Sequence, residues 1–324
     1  MAGGGIMSRK YRSWLAPQFE RFVALKRAGG YHFVTQENLL QKFDDYLDDH
    51  APGEPLLNET IGAYLASLAR LSPRGRDNVI SVVWQALAFA QRHGARIDTL
   101  SPRPPSAPSN FRLRPPRIIS RKEFSSIIAK ARQLQPTHHL RSATYATLYG
   151  LLFATGMRIS EALGLDVGDL DIETGLLTVR HGKFDKTRVL PLKSSTVAAL
   201  EKYISDPRRP IGKAATDPLF ISGRKRRLSL FSAGATFKRL SIASSIDKPL
   251  PHLHDMRHSF TVLCLMKWYR ENRDVNNLLP ALSTYLGHIS VENTRTYLIA
   301  NGLLLEEANR RFSIKSAALD EVMS

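Results

Sequence analysis

A proline-rich segment divides the chain. Residues 101–118 contain six prolines and four arginines and no acidic residue. Proline has no backbone N–H to donate and favours extended backbone, so this composition is incompatible with a helix interior or a central strand. We therefore predict a linker at 101–118 that joins two separately folded domains, and a length of 324 residues is enough for both.

Residues 1–100 carry apolar side chains at helical spacing. Four amphipathic helices are predicted there, and Gly29-Gly30, Pro52-Gly53 and Ser72-Pro73 separate them. The apolar positions are Leu15, Phe19, Phe22 and Val23; Leu40, Phe43 and Leu47; Ile61, Tyr64, Leu65 and Leu68; and Val79, Val82, Val83, Ala86, Leu87 and Ala90. No residue of this region has catalytic character, so a small helical bundle is expected.

Residues 119–324 mix helical patterns with one hairpin. A capping box, Ser120 to Glu123, opens the region. Helices are predicted through Tyr145–Leu163 and over about 194–205, 229–243, 254–270 and 279–299, with a last amphipathic segment at Leu303–Phe312. Two short strands, Leu176–Arg180 and Arg188–Leu192, are predicted to form a β-hairpin. The fold class is therefore mainly α with a small β-sheet.

The charge balance predicts an anionic partner. Lys and Arg number 46 against 29 Asp and Glu, a net charge of +17, which favours nucleic acid over an acidic membrane surface. The linker arginines could follow a nucleic-acid backbone or belong to a solvated tether. The single cysteine, Cys264, indicates a reducing compartment, and no apolar run approaches the length of a membrane span. A soluble cytoplasmic protein is expected.

Six residues carry the chemistry that most narrows the function. Arg158 lies in Thr-Gly-Met-Arg-Ile-Ser-Glu, Lys183 follows a glycine in the hairpin, and His254 precedes Arg257 by three residues. His288 ends a Leu-Gly-His motif, and Tyr297 follows it by nine residues. Two guanidiniums, an ammonium, two imidazoles and a phenol suit the binding of a phosphodiester while a tyrosine oxygen attacks it.

In this order and spacing, the motifs resemble those of tyrosine recombinases of the phage-integrase and Xer type. The resemblance implies an N-terminal helical core-binding (SAM-like) domain and a mixed α/β catalytic domain that together clamp DNA. The DNA strands would be cut and rejoined through a covalent 3′-phosphotyrosine, without metal, nucleotide or other cofactor. The stretch Trp268-Tyr269-Arg270 looks more like recombinases of transposons and plasmids.

The same resemblance assigns a role to each of the six residues. Arg158 and Arg257 would clamp the scissile phosphate, and His254 would accompany them on one helix face, while His288 would bond a non-bridging oxygen. Lys183, with Lys186 as the fallback, would protonate the departing 5′ oxygen. Tyr297 would be the nucleophile, and nearby cations are expected to favour its phenolate.

The resemblance also implies an assembly. The partner would be double-stranded DNA with paired recognition sites, and four strand cuts by one tyrosine each would require a tetramer in the synapse. Its subunits could be copies of this chain or could include a related recombinase. The segment Leu303–Phe312 could fold back on its own domain or dock into a neighbouring protomer, and we predict docking in trans.

Two other functions remain open from the residues alone. A non-catalytic DNA-binding protein could keep the fold, although it would need neither Tyr297 nor Lys183. A metal-dependent transposase would need a metal site, and two sets of residues could supply one. These are His252, His254 and His258 for zinc, and Asp166, Asp169 and Asp171 for magnesium. His258 is otherwise interpreted as a structural histidine.

Overall fold

The chain forms two compact units. In a computed structural model, which describes residues 11–98, 103–104, 117–136, 140–180, 187–209, 214–288 and 290–299, the contacts separate residues 1–114 from residues 115–324. Most of the predicted linker lies outside the described residues, so its bounds at 101 and 118 stay a prediction.

The first unit contains the four predicted helices. They are α1 (Ala16–Ala28), α2 (Val34–His50), α3 (Asn58–Ser67) and α4 (Pro73–Arg92). Their apolar faces meet in one core, in which Phe19, Phe43 and Leu87 are fully buried. The helix α4 begins where the sequence indicates, because the Ser72 hydroxyl accepts a hydrogen bond from the Gly75 N–H.

Helices also dominate the second unit, and the predicted fold class, mainly α with a small sheet, is confirmed. The helices are α5 (Arg121–Arg132), α6 (Arg141–Thr155), α7 (Ile159–Gly164), α8 (Ser194–Ile204), α9 (Leu230–Ala243), α10 (Leu253–Arg270), α11 (Val275–Leu286) and α12 (Glu292–Ile299). In the described part of the chain, no helix combines the length and apolarity that crossing a membrane requires.

Two glycines with left-handed backbone end helices of the second unit. Gly156 (φ 63°) ends α6, so the helices predicted through Tyr145–Leu163 are α6 and α7. Gly287 (φ 66°) ends α11, so a single helix over 279–299 is wrong, and α11 and α12 are separate. Left-handed backbone is readily available to glycine and stops a right-handed helix. The residues that follow these turns include Arg158 and His288.

The small sheet has three antiparallel strands in the order β1-β2-β3. They are β1 (Leu170–Asp171), β2 (Leu176–Val179) and β3 (Arg188–Pro191), and the hairpin β2-β3 is the predicted one. The short β1 was not predicted, since two residues leave no alternating pattern to detect. Val179 pairs with Arg188 at the end of the hairpin that leads to residues 181–186, which lie outside the described residues.

The second unit has two neighbouring hydrophobic clusters. The larger surrounds α6 and the sheet, and the smaller joins α10, α11 and α12 and includes Tyr297. Ile119 is fully buried in the larger cluster, and its N–H donates to the Ser259 hydroxyl on α10 at 2.7 Å. The start of this unit is thereby fixed against the helix that carries His254, Arg257 and His258.

Gly156→Ala is expected to destabilise the second unit by about 1–3 kcal/mol, the usual cost of a strained backbone conformation. A Cβ at this position would overlap the ring of Phe260, and the backbone would have to keep a positive φ. Urea unfolding followed by circular dichroism would measure the change.

Gly150→Ala is the matched control, because Gly150 lies inside α6 and, apart from its chain neighbours and the backbone of its own helix, no described atom lies within 4 Å of an added Cβ. That change should leave stability unaltered or raise it by up to about 1 kcal/mol. Equal effects of the two substitutions would contradict the role given to the Gly156 turn.

Candidate active site

Five of the six predicted site residues come together where the ends of α6, α10, α11 and α12 meet. Arg158 immediately precedes α7, His254 and Arg257 lie in the first turns of α10, and His288 follows the turn that ends α11. Tyr297 lies on α12. The sixth residue, Lys183, and the fallback Lys186 lie outside the described residues.

Arg257 ties two glycine turns to α10. Its side chain is almost completely buried, with the residue 2% exposed. One terminal nitrogen donates to the Gly156 carbonyl at 2.9 Å, and the other donates to the Leu286 carbonyl at 2.7 Å. Burial, followed by the positive charge of Arg158, lowers the pKa of Arg257 to about 10. The guanidinium remains charged at neutral pH and is fixed in orientation.

Arg158 is the more accessible of the two cations. Its Nη2 donates to the Gly287 carbonyl at 2.9 Å, and its Nη1 donates to the Glu161 carboxylate at 2.8 Å. Both arginines therefore bond carbonyl oxygens in or beside the turn that ends α11. Each terminal nitrogen of a guanidinium carries two hydrogens, so these bonds leave further donors for an anion.

Glu161 holds Arg158 and a second arginine, Arg188, which begins β3. Arg188 forms a two-point ion pair with the Glu161 carboxylate, with distances of 3.1 and 2.8 Å, and its Nε donates to the Tyr285 carbonyl at 2.9 Å. Burial alone would raise the pKa of Glu161, but the hydrogen bonds and charges of the two arginines outweigh it and lower that pKa. Glu161 therefore remains ionised and anchors both cations.

The Tyr297 hydroxyl contacts His258. The distance between Tyr297 Oη and His258 Nδ1 is 2.6 Å, and the two ring centroids are 5.4 Å apart. Tyr297 is only 8% exposed. Burial raises its pKa, although the charges of Arg257 and Arg158 act in the opposite direction. The two arginines therefore favour the phenolate, as expected, but burial outweighs them, and the pKa of Tyr297 in the DNA-free protein lies above its ordinary value.

Three histidines surround these groups and are neutral. Burial and the nearby arginines lower the pKa of His288 to about 4, and burial together with His254 and Arg257 lowers that of His258 to about 4. The pKa of His254 is lowered by burial and by Arg257. His288 Nδ1 lies 2.8 Å from the Thr294 hydroxyl, and the rings of His254 and His258 meet edge to face at 4.6 Å.

Two residues that contact predicted site residues were not assigned to the site from the sequence. His258, interpreted as structural, contacts the predicted nucleophile, and its place four residues after His254 was the available signal. Glu161 follows Arg158 by three residues at the start of a helix, a spacing that brings side chains together. The link from Glu161 to Arg188 had no such signal, since 27 residues separate them.

The residues considered for metal binding have other partners. Asp166 pairs with Arg227, Asp169 pairs with Arg180 at 2.7 Å, and Asp171 accepts from the backbone of the turn that follows it. His252 precedes α10, where its N–H donates to the Asp255 carboxylate. Among the described residues, no cluster of three or more His, Cys, Asp or Glu side chains could hold a metal ion.

Comparison with known proteins identifies relatives over most of the chain. Residues 117–302 match the phage integrase family. The protein named "Putative integrase/recombinase y4rB" of Sinorhizobium fredii is 36% identical over 302 residues, which cover 90% of this chain and 95% of that protein. Tyrosine recombinase XerD of Neisseria meningitidis is 30% identical over 212 residues, 64% of this chain and 66% of XerD.

Solved structures show the same fold. The Tn1549 transposon integrase in complex with transposon right end DNA aligns with a TM-score of 0.63 at 16% identity, covering 91% of this chain and 98% of that one. XerH site-specific recombinase bound to its palindromic difH substrate aligns with a TM-score of 0.62 at 20% identity. The alignment covers 86% of this chain and 79% of XerH.

The family match covers more than half of the chain and includes Arg158, Arg257 and Tyr297 within its bounds. The y4rB relative extends the similarity across nine tenths of the chain. This chain belongs to the phage integrase family and is a tyrosine recombinase.

Proposed function

We propose that Tyr297 is the nucleophile with which this recombinase cuts duplex DNA and that it becomes joined to the 3′ phosphate. One observation carries the proposal. Tyr297, the two arginines and the histidines lie on four separate chain segments, and the fold brings them together at one site. A buried phenol beside two fixed guanidiniums is suited to attack a bound phosphodiester.

Each neighbouring group then has a distinct task. Arg158 and Arg257 bind the non-bridging oxygens of the scissile phosphate and stabilise the charge that builds up as Oη attacks. Neutral His254 and His288 supply hydrogen bonds to the same phosphate, while Lys183 protonates the 5′ oxygen as it leaves. The phosphotyrosine bond conserves the energy of the broken phosphodiester, so religation needs no nucleotide.

The substrate would be double-stranded DNA with paired recognition sites. Each exchange between two duplexes breaks four strands, and one tyrosine serves one strand, so the active assembly would be a tetramer in the synapse. It would form from copies of this chain or together with a related recombinase. The net charge of +17 favours this partner, and solved relatives with the same fold are bound to DNA.

Tyr297→Phe should abolish the covalent protein–DNA adduct and leave DNA binding intact, because the ring is kept and the attacking oxygen is removed. A duplex carrying a nick next to the cleavage position traps the adduct, which denaturing gels detect. Tyr285→Phe is the matched control, since Tyr285 is a partly buried tyrosine that packs against the cluster containing Tyr297. The adduct should form equally with EDTA present, and an EDTA-sensitive adduct would favour the metal-dependent alternative.

Arg158→Ala should slow adduct formation by about 10²–10³-fold, the effect of losing one preorganised donor to a developing oxyanion. The fold should persist because Arg188 still pairs with Glu161. Arg208→Ala removes an ion pair with Asp206 in which the arginine side chain is 38% exposed. It should change the rate by no more than about fivefold. Equal rates for the two variants would remove Arg158 from the phosphate clamp.

Lys183→Ala should lose cleavage of ordinary DNA and recover it on a substrate with a 5′-phosphorothiolate at the cleaved bond. A sulfur leaving group departs without a proton, so the general acid becomes dispensable. Lys186→Ala serves as the matched control and should behave alike on both substrates. Failure of Lys183→Ala on both, with selective rescue of Lys186→Ala, would transfer the role to Lys186.

A further inference from the structure

His258 is the hydrogen-bond partner of the Tyr297 hydroxyl in the described part of the chain. The contact joins α10 to α12 across 39 residues, at 2.6 Å between Nδ1 and Oη. Both side chains are packed into the second unit, with His258 half-buried and Tyr297 almost completely so. The packing holds the two atoms together and leaves the hydroxyl little freedom to rotate away.

The phenol must lose a proton when it attacks. In the DNA-free protein burial raises the pKa of Tyr297, so a preformed phenolate is scarce at neutral pH. An acceptor within hydrogen-bond distance of the attacking oxygen is the geometric requirement for general base catalysis. Nδ1 of His258 meets this requirement when the ring carries its hydrogen on Nε2.

We propose that His258 is a catalytic residue, which orients the Tyr297 hydroxyl and accepts its proton as Oη attacks phosphorus. The inference rests on the proposed role of Tyr297 as nucleophile. In the forward step the Oη–P bond forms, the P–O5′ bond breaks, and the proton passes from Oη to Nδ1. The leaving 5′ oxygen takes a proton from Lys183. On religation the 5′ hydroxyl attacks phosphorus and gives its proton back to Lys183, the Oη–P bond breaks, and His258 returns the proton to Oη.

The surroundings of His258 make its basicity depend on the substrate. Burial lowers the pKa of His258 to about 4. The positive charges of protonated His254, of Arg257 and of protonated His288 act in the same direction. A phosphate bound by Arg158 and Arg257 would bring negative charge beside the same ring and oppose this effect. His258 therefore gains proton affinity when a phosphodiester occupies the site, which is when the proton has to be transferred.

Two substitutions of His258 distinguish a residue that accepts the Tyr297 proton from one that only positions the hydroxyl. His258→Asn keeps a hydrogen-bonding amide close to the place of Nδ1 but cannot accept a proton at neutral pH. His258→Phe fills the volume and removes the acceptor. His252→Asn is the matched control, because His252 lies on the exposed N-terminal side of the same helix and asparagine is favoured at that position. Circular dichroism and DNA-binding titrations would verify folding and affinity.

The rate of adduct formation on nicked DNA is measured from pH 6 to pH 9. The wild-type rate should be nearly level around neutral pH, since His258 is already unprotonated. Both His258 variants should be slower by about 10²–10⁴-fold at pH 7, the usual contribution of a general base. Their rates should rise about tenfold per pH unit, following the fraction of phenolate. His252→Asn should match the wild type.

Fluorotyrosine at position 297 provides a second measurement. A fluorinated phenol is more acidic and needs less help to lose its proton, so it should restore much of the rate of His258→Asn while changing the wild type little. If His258→Asn alone matches the wild type in rate and pH profile, His258 only positions the hydroxyl and the proposal is wrong. An adduct that persists in Tyr297→Phe would instead overturn the proposed nucleophile, independently of His258.

Discussion

The guanidinium of Arg257 is the interaction on which the site depends. Its two hydrogen bonds join α10 to the carbonyls of Gly156 and Leu286, which lie at the ends of two other helices. Both helices end at a glycine with positive φ, and the chain leaves each turn toward a site residue, Arg158 in one case and His288 in the other. One buried cation thus links three chain segments that carry predicted site residues.

Such a cation is costly to bury, and the surrounding charges compensate for it only in part. Arg257 bonds neutral carbonyl oxygens, whereas the nearby carboxylate of Glu161 is taken up by Arg158 and Arg188. Burial, reinforced by the remaining positive potential, lowers the pKa of His258 and of His288 to about 4. A phosphodiester is the kind of ligand that would neutralise this potential, because it brings one negative charge and oxygens arranged for guanidinium donors. The DNA-free site therefore carries an excess of positive charge that a bound phosphodiester would neutralise.

Much of the fold could be predicted because it depends on local patterns. Apolar spacing located α1 to α4, and the Ser120 capping box marked the start of α5. The helix interruption at Gly287 was missed because apolar spacing continues across this glycine, whereas more than one helix was predicted through Tyr145–Leu163, where Gly156 ends α6. The motifs located the residues of the site, but their partners were not predictable where a long stretch of chain intervenes. The contact of His258 with Tyr297 is of this kind, since it depends on how α12 returns to α10.

The state of Tyr297 in the free protein has a consequence for how cleavage is controlled. A phenol whose pKa is raised by burial is a poor nucleophile, and His258, with a pKa of about 4, is a poor base. A phosphate bound between Arg158 and Arg257 would relieve only the weak basicity of His258, because its negative charge favours a protonated imidazole and disfavours a phenolate. On the proposal made above, a duplex that touches the protein without placing a phosphate between these arginines leaves the tyrosine protonated. On the same proposal, transfer of the Tyr297 proton is coupled to correct substrate placement, because the phosphate that is attacked also raises the proton affinity of the acceptor, His258.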